Sequence, residues 1–320
     1  MASYTKISLE TASTILELYG LKNIVRLTPL SLGISNSNYK VELENSTILL
    51  KISNDKNIEE LNEEQLILFT INQYGYPYSL KPFAMSNESQ QSKWVYDYGG
   101  YHGVVYPFVE GIPPGPSDYT CQEIGKALAT LHCLKIAEVD KNKIRRHEKV
   151  GFGPREILTY CESALCPNDF KKAVAELFPK GLGPFLDHTF EETIIHGDLY
   201  YDNTLFDHNQ LKTVLDFEQA GIGEAILDLG ISLSGSCLEK GRIITPLVQS
   251  FLQGYETLRP LSVLEKKNLD DAILLGFLSI SLWRIKRFYE GNLNPLMKNS
   301  YQDLIIKAKH FQEMRLTESL

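Results

Sequence analysis

The sequence predicts an α+β chain in two lobes, a small N-terminal lobe built on an antiparallel sheet and a larger, mainly helical C-terminal lobe. Three observations predict it. Hairpin-like apolar stretches around one helix fill the first third of the 320 residues. Residues 107–116, PFVEGIPPGP, hold four prolines and two glycines, a composition that continues neither a helix nor a central strand. Beyond them apolar residues recur at helical spacing, interrupted by one β-rich island at 193–217. The expected organisation is therefore 1–106, a hinge at 107–116, and 117–320.

The elements follow in order. Residues 8–20 read as an amphipathic helix, with Ser8 as N-cap, apolar Ile15, Leu16 and Tyr19, and Gly20 to close it. Residues 38–44 and 47–52 read as strands joined across Asn45 and Ser46. A helix at 58–73 follows, then two strands, 92–98 and 102–106, around Gly99 and Gly100. After the hinge, helices are expected at 117–134, 154–161, 169–177, 224–233, 241–255, 263–288 (with a break) and 302–314.

Composition narrows the function classes. A net charge of −8 argues against a chain that grips nucleic acid or an anionic membrane, both of which need a clustered basic surface. Five cysteines, an odd number without CxxC or zinc-ligand spacing, read as free thiols in a reducing compartment. The N-terminus lacks a basic stretch followed by an apolar core, and the apolar run 273–283 is too short to span a bilayer. A cytoplasmic protein is expected, one that uses neither a nucleic acid nor a membrane as partner; its oligomeric state is not encoded in any motif.

The informative segment is 194–217, IIHGDLYYDNTLFDHNQLKTVLDF. Strands at 204–206 and 213–215 flank a polar turn, and this hairpin sets Asp198, Asn203 and Asp216 on one edge. Phosphoryl transfer needs a carboxylate to orient the attacking hydroxyl and take its proton, and further oxygens to hold the metal on the β- and γ-phosphates. Asp198 suits the first task; Asp216 suits the second, with Asn203 as a neutral oxygen ligand. Taken singly, an Asp–Asn loop is turn chemistry and an Asp at a strand end is a cap. The ordered set of His196, Asp198, Asn203 and Asp216, with the spacing of the protein-kinase catalytic loop, favours catalysis.

HGDLxxxN followed by a strand and LDF resembles the aminoglycoside phosphotransferase and choline kinase superfamily, which has a protein-kinase-like fold. The resemblance implies ATP and Mg²⁺ as cofactors, Asp198 as base, and Asn203 and Asp216 as metal ligands. His196 completes the catalytic set by bracing the loop, since a base is already supplied. It makes 1–106 the nucleotide-binding lobe and 117–320 the catalytic and substrate-binding lobe. A kinase of this type needs a cation on the phosphates, and Lys51 stands at the end of the apolar strand TILLK. Glu60, Glu63 and Glu64 lie in the next helix as possible partners, with Glu64 first because it begins the apolar face. The segment 32–38, LGISNSN, is placed where a nucleotide-covering loop belongs, so Gly33, Ser35, Asn36 and Asn38 join the nucleotide set.

Further blocks resemble bacterial homoserine kinases of this superfamily: LTPLSLGISNSNYKV, VVYPFVEGIPP, GYETLRPLSVLE and LWRIKRFY, in order along most of the chain. That resemblance implies a small-molecule acceptor, L-homoserine, phosphorylated on its hydroxyl to O-phospho-L-homoserine in threonine biosynthesis. A zwitterion needs a cation for its carboxylate and an anion for its ammonium. Arg284 is preferred to Lys286 and Arg287 for the first, Glu218 either meets the second or flanks the metal site, and Tyr200 offers an aromatic contact. The alternative is an aminoglycoside or choline/ethanolamine kinase. A second alternative, a protein kinase or a non-catalytic nucleotide-binding pseudokinase, is opposed by the absence of an APE segment and by the intact carboxylates.

Overall fold

The computed structural model describes residues 4–30, 36–86, 93–187, 189–291 and 294–317. The chain divides into two compact units, Met1–Glu110 and Gly111–Leu320, with the division inside the proline-rich segment.

The first unit opens with helix α1 (Leu9–Glu17), where the Ser8 hydroxyl accepts the Thr11 N–H at 3.1 Å and so satisfies one of the orphan donors of the first turn. Five strands follow: β1 (Ile24–Leu30), β2 (Asn36–Leu43), β3 (Thr47–Ser53) and, after helix α2 (Ile58–Gln73), β4 (Val95–Tyr98) and β5 (Tyr101–Pro107). They form one antiparallel sheet in the order β1-β2-β3-β5-β4. Alternation along β2 and β3 turns Tyr39, Val41, Ile48, Leu50 and Ile52 into a core shared with Ala12, Ile15 and Leu16 of α1. The other residues of β3, Leu49 and Lys51, face the opposite side, where Tyr106 of β5 donates its hydroxyl to Gln65 of α2 at 2.8 Å. Helix α2 has the expected bounds because Asn57 and Glu60 form a reciprocal capping box. Edge strand β1 carries Pro29 and Arg26 and buries little, so the sequence shows no apolar alternation there to delimit it.

The second unit is mainly helical: α3 (Asp118–His132), α4 (Glu138–Lys141), α5 (Pro154–Glu162) and α6 (Asn168–Leu177) precede the β-island. The island is two short ribbons, β6 (Glu192–Ile195) paired with β9 (Gly221–Glu224), and between them the hairpin β7 (Thr204–Asp207) with β8 (Gln210–Val214). Helix α7 (Ala225–Ser236), the small ribbon β10 (Leu238–Glu239) with β11 (Arg242–Ile243), and helices α8 (Thr245–Glu256), α9 (Val263–Arg284) and α10 (Ser300–Thr317) complete it. The helix expected from 241 instead begins at Thr245, with Pro246 in its first turn, where a missing N–H costs no hydrogen bond. The expected break after 263 is a π turn, Ile285–Glu290, that continues α9. Among the described residues no helix is long and apolar enough to cross a membrane. All five cysteines are free thiols.

Candidate active site

Strand β6 delivers the chain to His196, Gly197 and Asp198. Gly197 adopts φ +78°, and a Cβ there would come within 2.8 Å of the Gln219 carbonyl oxygen, so only glycine fits. The loop is held from behind by Asp228 of α7, whose carboxylate accepts the His196 N–H at 2.7 Å and the Gly197 N–H at 2.8 Å. The same carboxylate meets His132 Nε2 at 3.0 Å, and His132 Nδ1 meets the Tyr255 hydroxyl at 2.6 Å. Burial alone would raise the Asp228 pKa; the His132 and backbone hydrogen bonds outweigh it and hold the carboxyl below its ordinary value. Replacing Asp228 with Ala strands both amides and His132 in a buried interior. Equilibrium denaturation is expected to show a loss of about 3–5 kcal/mol, the usual cost of breaking a buried charged network.

His196 is enclosed. Its Nε2 donates to the Leu215 carbonyl at 2.9 Å, its Nδ1 accepts the Asp198 N–H at 3.2 Å, and its ring packs at a tilt against Phe217 with centroids 4.5 Å apart. Burial lowers its pKa, so the ring is neutral. Both nitrogens are spent on the loop, so His196 positions the site by bracing it.

The structure brings Asp198, Asn203 and Asp216 together. Asn203 donates its amide to the Asp198 carbonyl at 2.7 Å and to its carboxylate at 3.2 Å, which leaves the amide oxygen as the atom that can face a cation. The Leu215 N–H donates to the Asn203 carbonyl at 2.8 Å, tying the hairpin's far end to the loop. Asp216 then takes φ +61° and ψ +61°, a left-handed conformation that a non-glycine residue holds only at a cost. The Asp198 carboxyl is pushed well above the usual carboxylate range, first by burial and then by the charges of Asp216 and Glu218. Two mutually repelling carboxylates and an amide oxygen are hard donors of the kind a divalent magnesium ion takes, and such an ion would relieve that repulsion.

Around this centre, Glu218 is buried and paired with Arg287 at 3.4 Å, and Arg287 lies over the Trp283 ring at 5.4 Å. Arg145 donates to the Glu218 carbonyl at 2.6 Å and to the Ala220 carbonyl at 2.9 Å. Arg284 donates to the Ser300 carbonyl at 3.0 Å, and its charge acts on both Asp198 and Tyr200. The Tyr200 ring lies so close to Gly235 of α7 that a Cβ on that glycine would sit 1.8 Å from it.

In the first unit, Lys51 Nζ is 3.5 Å from Glu64 Oε1, and Glu64 is buried. Lys56, not foreseen, takes the other oxygen at 3.1 Å. Strand β2 begins at Asn36, two residues before the strand expected from 38, so Asn36 lies in the sheet rather than in a loop; Asn38 is the cross-strand neighbour of Lys51, and both asparagines share its face of the sheet. Ladder pairing with β3 overrides the turn preference of asparagine. Gly33 and Ser35 lie outside the described residues.

The sequence alone missed Asp228, His132 and Arg145. Asp228 had a signal, as the only charge in the apolar run AILDLGISL; a lone carboxylate in a buried helix needs partners. Nothing marked His132 or Arg145, whose partners lie more than 70 residues away in the chain.

The model of the phosphotransferase enzyme family matches residues 26–261. A homoserine kinase of Polaromonas naphthalenivorans is 24% identical over 294 residues, 90% of each chain. One of Methylocella silvestris is 26% identical over 89% of this chain and 88% of its own. Among solved structures, an amicoumacin kinase in complex with AMP-PNP and Ca²⁺ superposes with a TM-score of 0.65 at 17% identity, covering 96% and 97% of the two chains. A spectinomycin phosphotransferase in complex with ADP superposes with 0.62 at 14% identity, covering 97% and 95%. These structural likenesses bear out the protein-kinase-like fold. With its family model spanning most of its length, the chain belongs to the phosphotransferase enzyme family.

Proposed function

We propose that the protein transfers the γ-phosphoryl group of ATP, taken with Mg²⁺, to the side-chain hydroxyl of L-homoserine. The observation that carries the reaction type is the cluster of Asp198, Asn203 and Asp216, with Asn203 fixed on Asp198. Asp198 orients the acceptor hydroxyl and takes its proton. Asn203 and Asp216 would hold Mg²⁺. When bound, that ion supplies neutralisation of charge on the β- and γ-phosphates. Lys51, held by Glu64, serves the nucleotide phosphates, and Asn36 and Asn38 line the same face of the sheet, with Gly33 and Ser35 in the segment before them. The assignment of residues 1–106 to nucleotide and 117–320 to chemistry and acceptor belongs to this proposal.

The acceptor rests on the curated homoserine kinases that align along nearly the whole chain, and on a charge pattern suited to a zwitterion. Arg284 is assigned the substrate carboxylate; Glu218, anchored by Arg287, is assigned the ammonium; and Tyr200, which feels the charge of Arg284, is assigned an aromatic contact. One observation favours a second reading. Asp198, Asp216 and Glu218 concentrate negative charge, as a polycationic aminoglycoside or a choline-like acceptor would require. ATP consumption measured across homoserine, choline, ethanolamine and an aminoglycoside separates them. Arg284→Ala is expected to raise KM for homoserine roughly 10–100-fold while KM for ATP stays within about twofold, since a charged hydrogen bond is lost from one ligand only. Efficient turnover of choline or an aminoglycoside with homoserine inert would reject homoserine and leave the reaction type standing.

A further inference from the structure

A cavity of about 350 Å³ opens in the second unit with none of Asp198, Asn203 or Asp216 in its lining, which is made by residues 132–136 at the end of α3, by residues 191–194 of β6 and its approach, and by Lys141, Ile222 and Arg259. Its chemistry is uneven. Leu134, Ile136, Ile194 and Ile222 give it an apolar wall. Both of its carboxylates are answered, Glu191 by Arg259 at 2.8 Å and Glu192 by Arg146. Arg259 is further bound to Glu265 at 2.7 Å. Lys135 and Lys141, by contrast, pair with no carboxylate among the described residues. The lining therefore presents two uncompensated cations beside an apolar surface, the complement of a small anion with an apolar body.

Two of its walls lead into the catalytic loop. His132 is the residue that holds Asp228, and Asp228 holds the backbone of His196 and Gly197. Thr193 and Ile194 lie on β6, which runs directly into His196, and the Thr193 hydroxyl donates to the His132 carbonyl at 2.9 Å, joining the two walls. A molecule wedged between them must bear on both supports of the loop that carries Asp198. We propose that this cavity is a second ligand site, for a small organic carboxylate with a branched apolar body, and that its occupancy alters turnover by shifting the support of the catalytic loop. The effect on turnover rests on the function proposed above; the site and its coupling to the loop do not.

The test uses isovalerate as probe, with isopentylamine and isobutyl phosphate as charge controls. Calorimetric titration of the full chain is expected to give saturable isovalerate binding with Kd of about 1 mM, reasonable for so few heavy atoms, and none for the amine. Lys135→Ala/Lys141→Ala should abolish that binding while leaving turnover without isovalerate unchanged. Saturating isovalerate should change hydrogen exchange at the Gly197 and Asp198 amides and change kcat by about fivefold with KM for ATP unmoved. No saturable binding of isovalerate, or binding that survives the double substitution, overturns the site. Tighter binding of the phosphate ester overturns the carboxylate assignment. Binding with an unchanged exchange pattern overturns the coupling. Binding and the exchange response without turnover of any acceptor would support the site while counting against the proposed reaction.

Discussion

Asp198→Asn is expected to lower kcat by roughly 10²–10⁴-fold, the usual worth of a positioned general base, while leaving ATP affinity and the fold in place. The substitution is nearly isosteric and keeps an oxygen for the Asn203 amide, so the loop geometry survives. It also removes a carboxyl whose ionisation is disfavoured by burial first and by the charges of Asp216 and Glu218 second. The metal-free variant should therefore melt no lower than the parent, because the carboxylate at this position opposes folding rather than favouring it. Loss of activity with retained or increased thermal stability marks a residue kept for chemistry. A fall of less than about tenfold in kcat would move the base elsewhere.

Asp216→Ala is expected to abolish turnover and to erase the Mg²⁺ dependence of ATP binding, weakening Mg²⁺–ATP affinity by roughly 10²-fold or more. The variant needs a control, because Asp216 has a left-handed backbone, where alanine costs about 1–2 kcal/mol that has nothing to do with a metal. Asp216→Gly supplies it: glycine accepts that conformation without strain and removes the carboxylate all the same. Both variants should lose metal-dependent binding alike, with the glycine form the more stable in denaturant. Near-parental Mg²⁺–ATP affinity in the folded glycine variant would remove Asp216 from the ligand set.

Where structure depends on neighbours in sequence, it was legible. Ser8 announces its helix because a cap bonds within three residues, and HGDLYYDN compresses the loop, the bracing histidine and the asparagine bonded to Asp198 into eight positions. Lys51 was legible by contrast, a charge at an alternating apolar strand's end, and Glu64 by its position on the facing helix. What escaped depends on long-range pairing. Strands β6 and β9 are each four residues long, separated by a hairpin, and too short to show a period. Asp228 is 30 residues from Asp198, and its function exists only because α7 packs behind the loop. Position ahead of Lys51 puts Asn36 in a loop that ends where the strand at 38 begins, and the ladder to β3 extends that strand back to Asn36.

The π turn at Ile285–Glu290 has a consequence for how this helical end tolerates changes of length. A π turn is an α-helix that carries one residue more than its pitch accommodates. Within this one turn and the residue before it, Arg284 reaches α10, Lys286 the Gly151 carbonyl, Arg287 Glu218, and Glu290 the Tyr160 hydroxyl of α5. An α-helix rotates successive side chains by fixed steps; the widened turn lets them fan out to four separate targets. Deleting one residue here would let the segment relax to ordinary pitch, yet every side chain after the deletion would swing about 100° around the axis and only part of the fan could re-form. The end of α9 is thus a register in which a single inserted or deleted residue selects which cation stands beside Glu218, with the buried length of the helix left untouched.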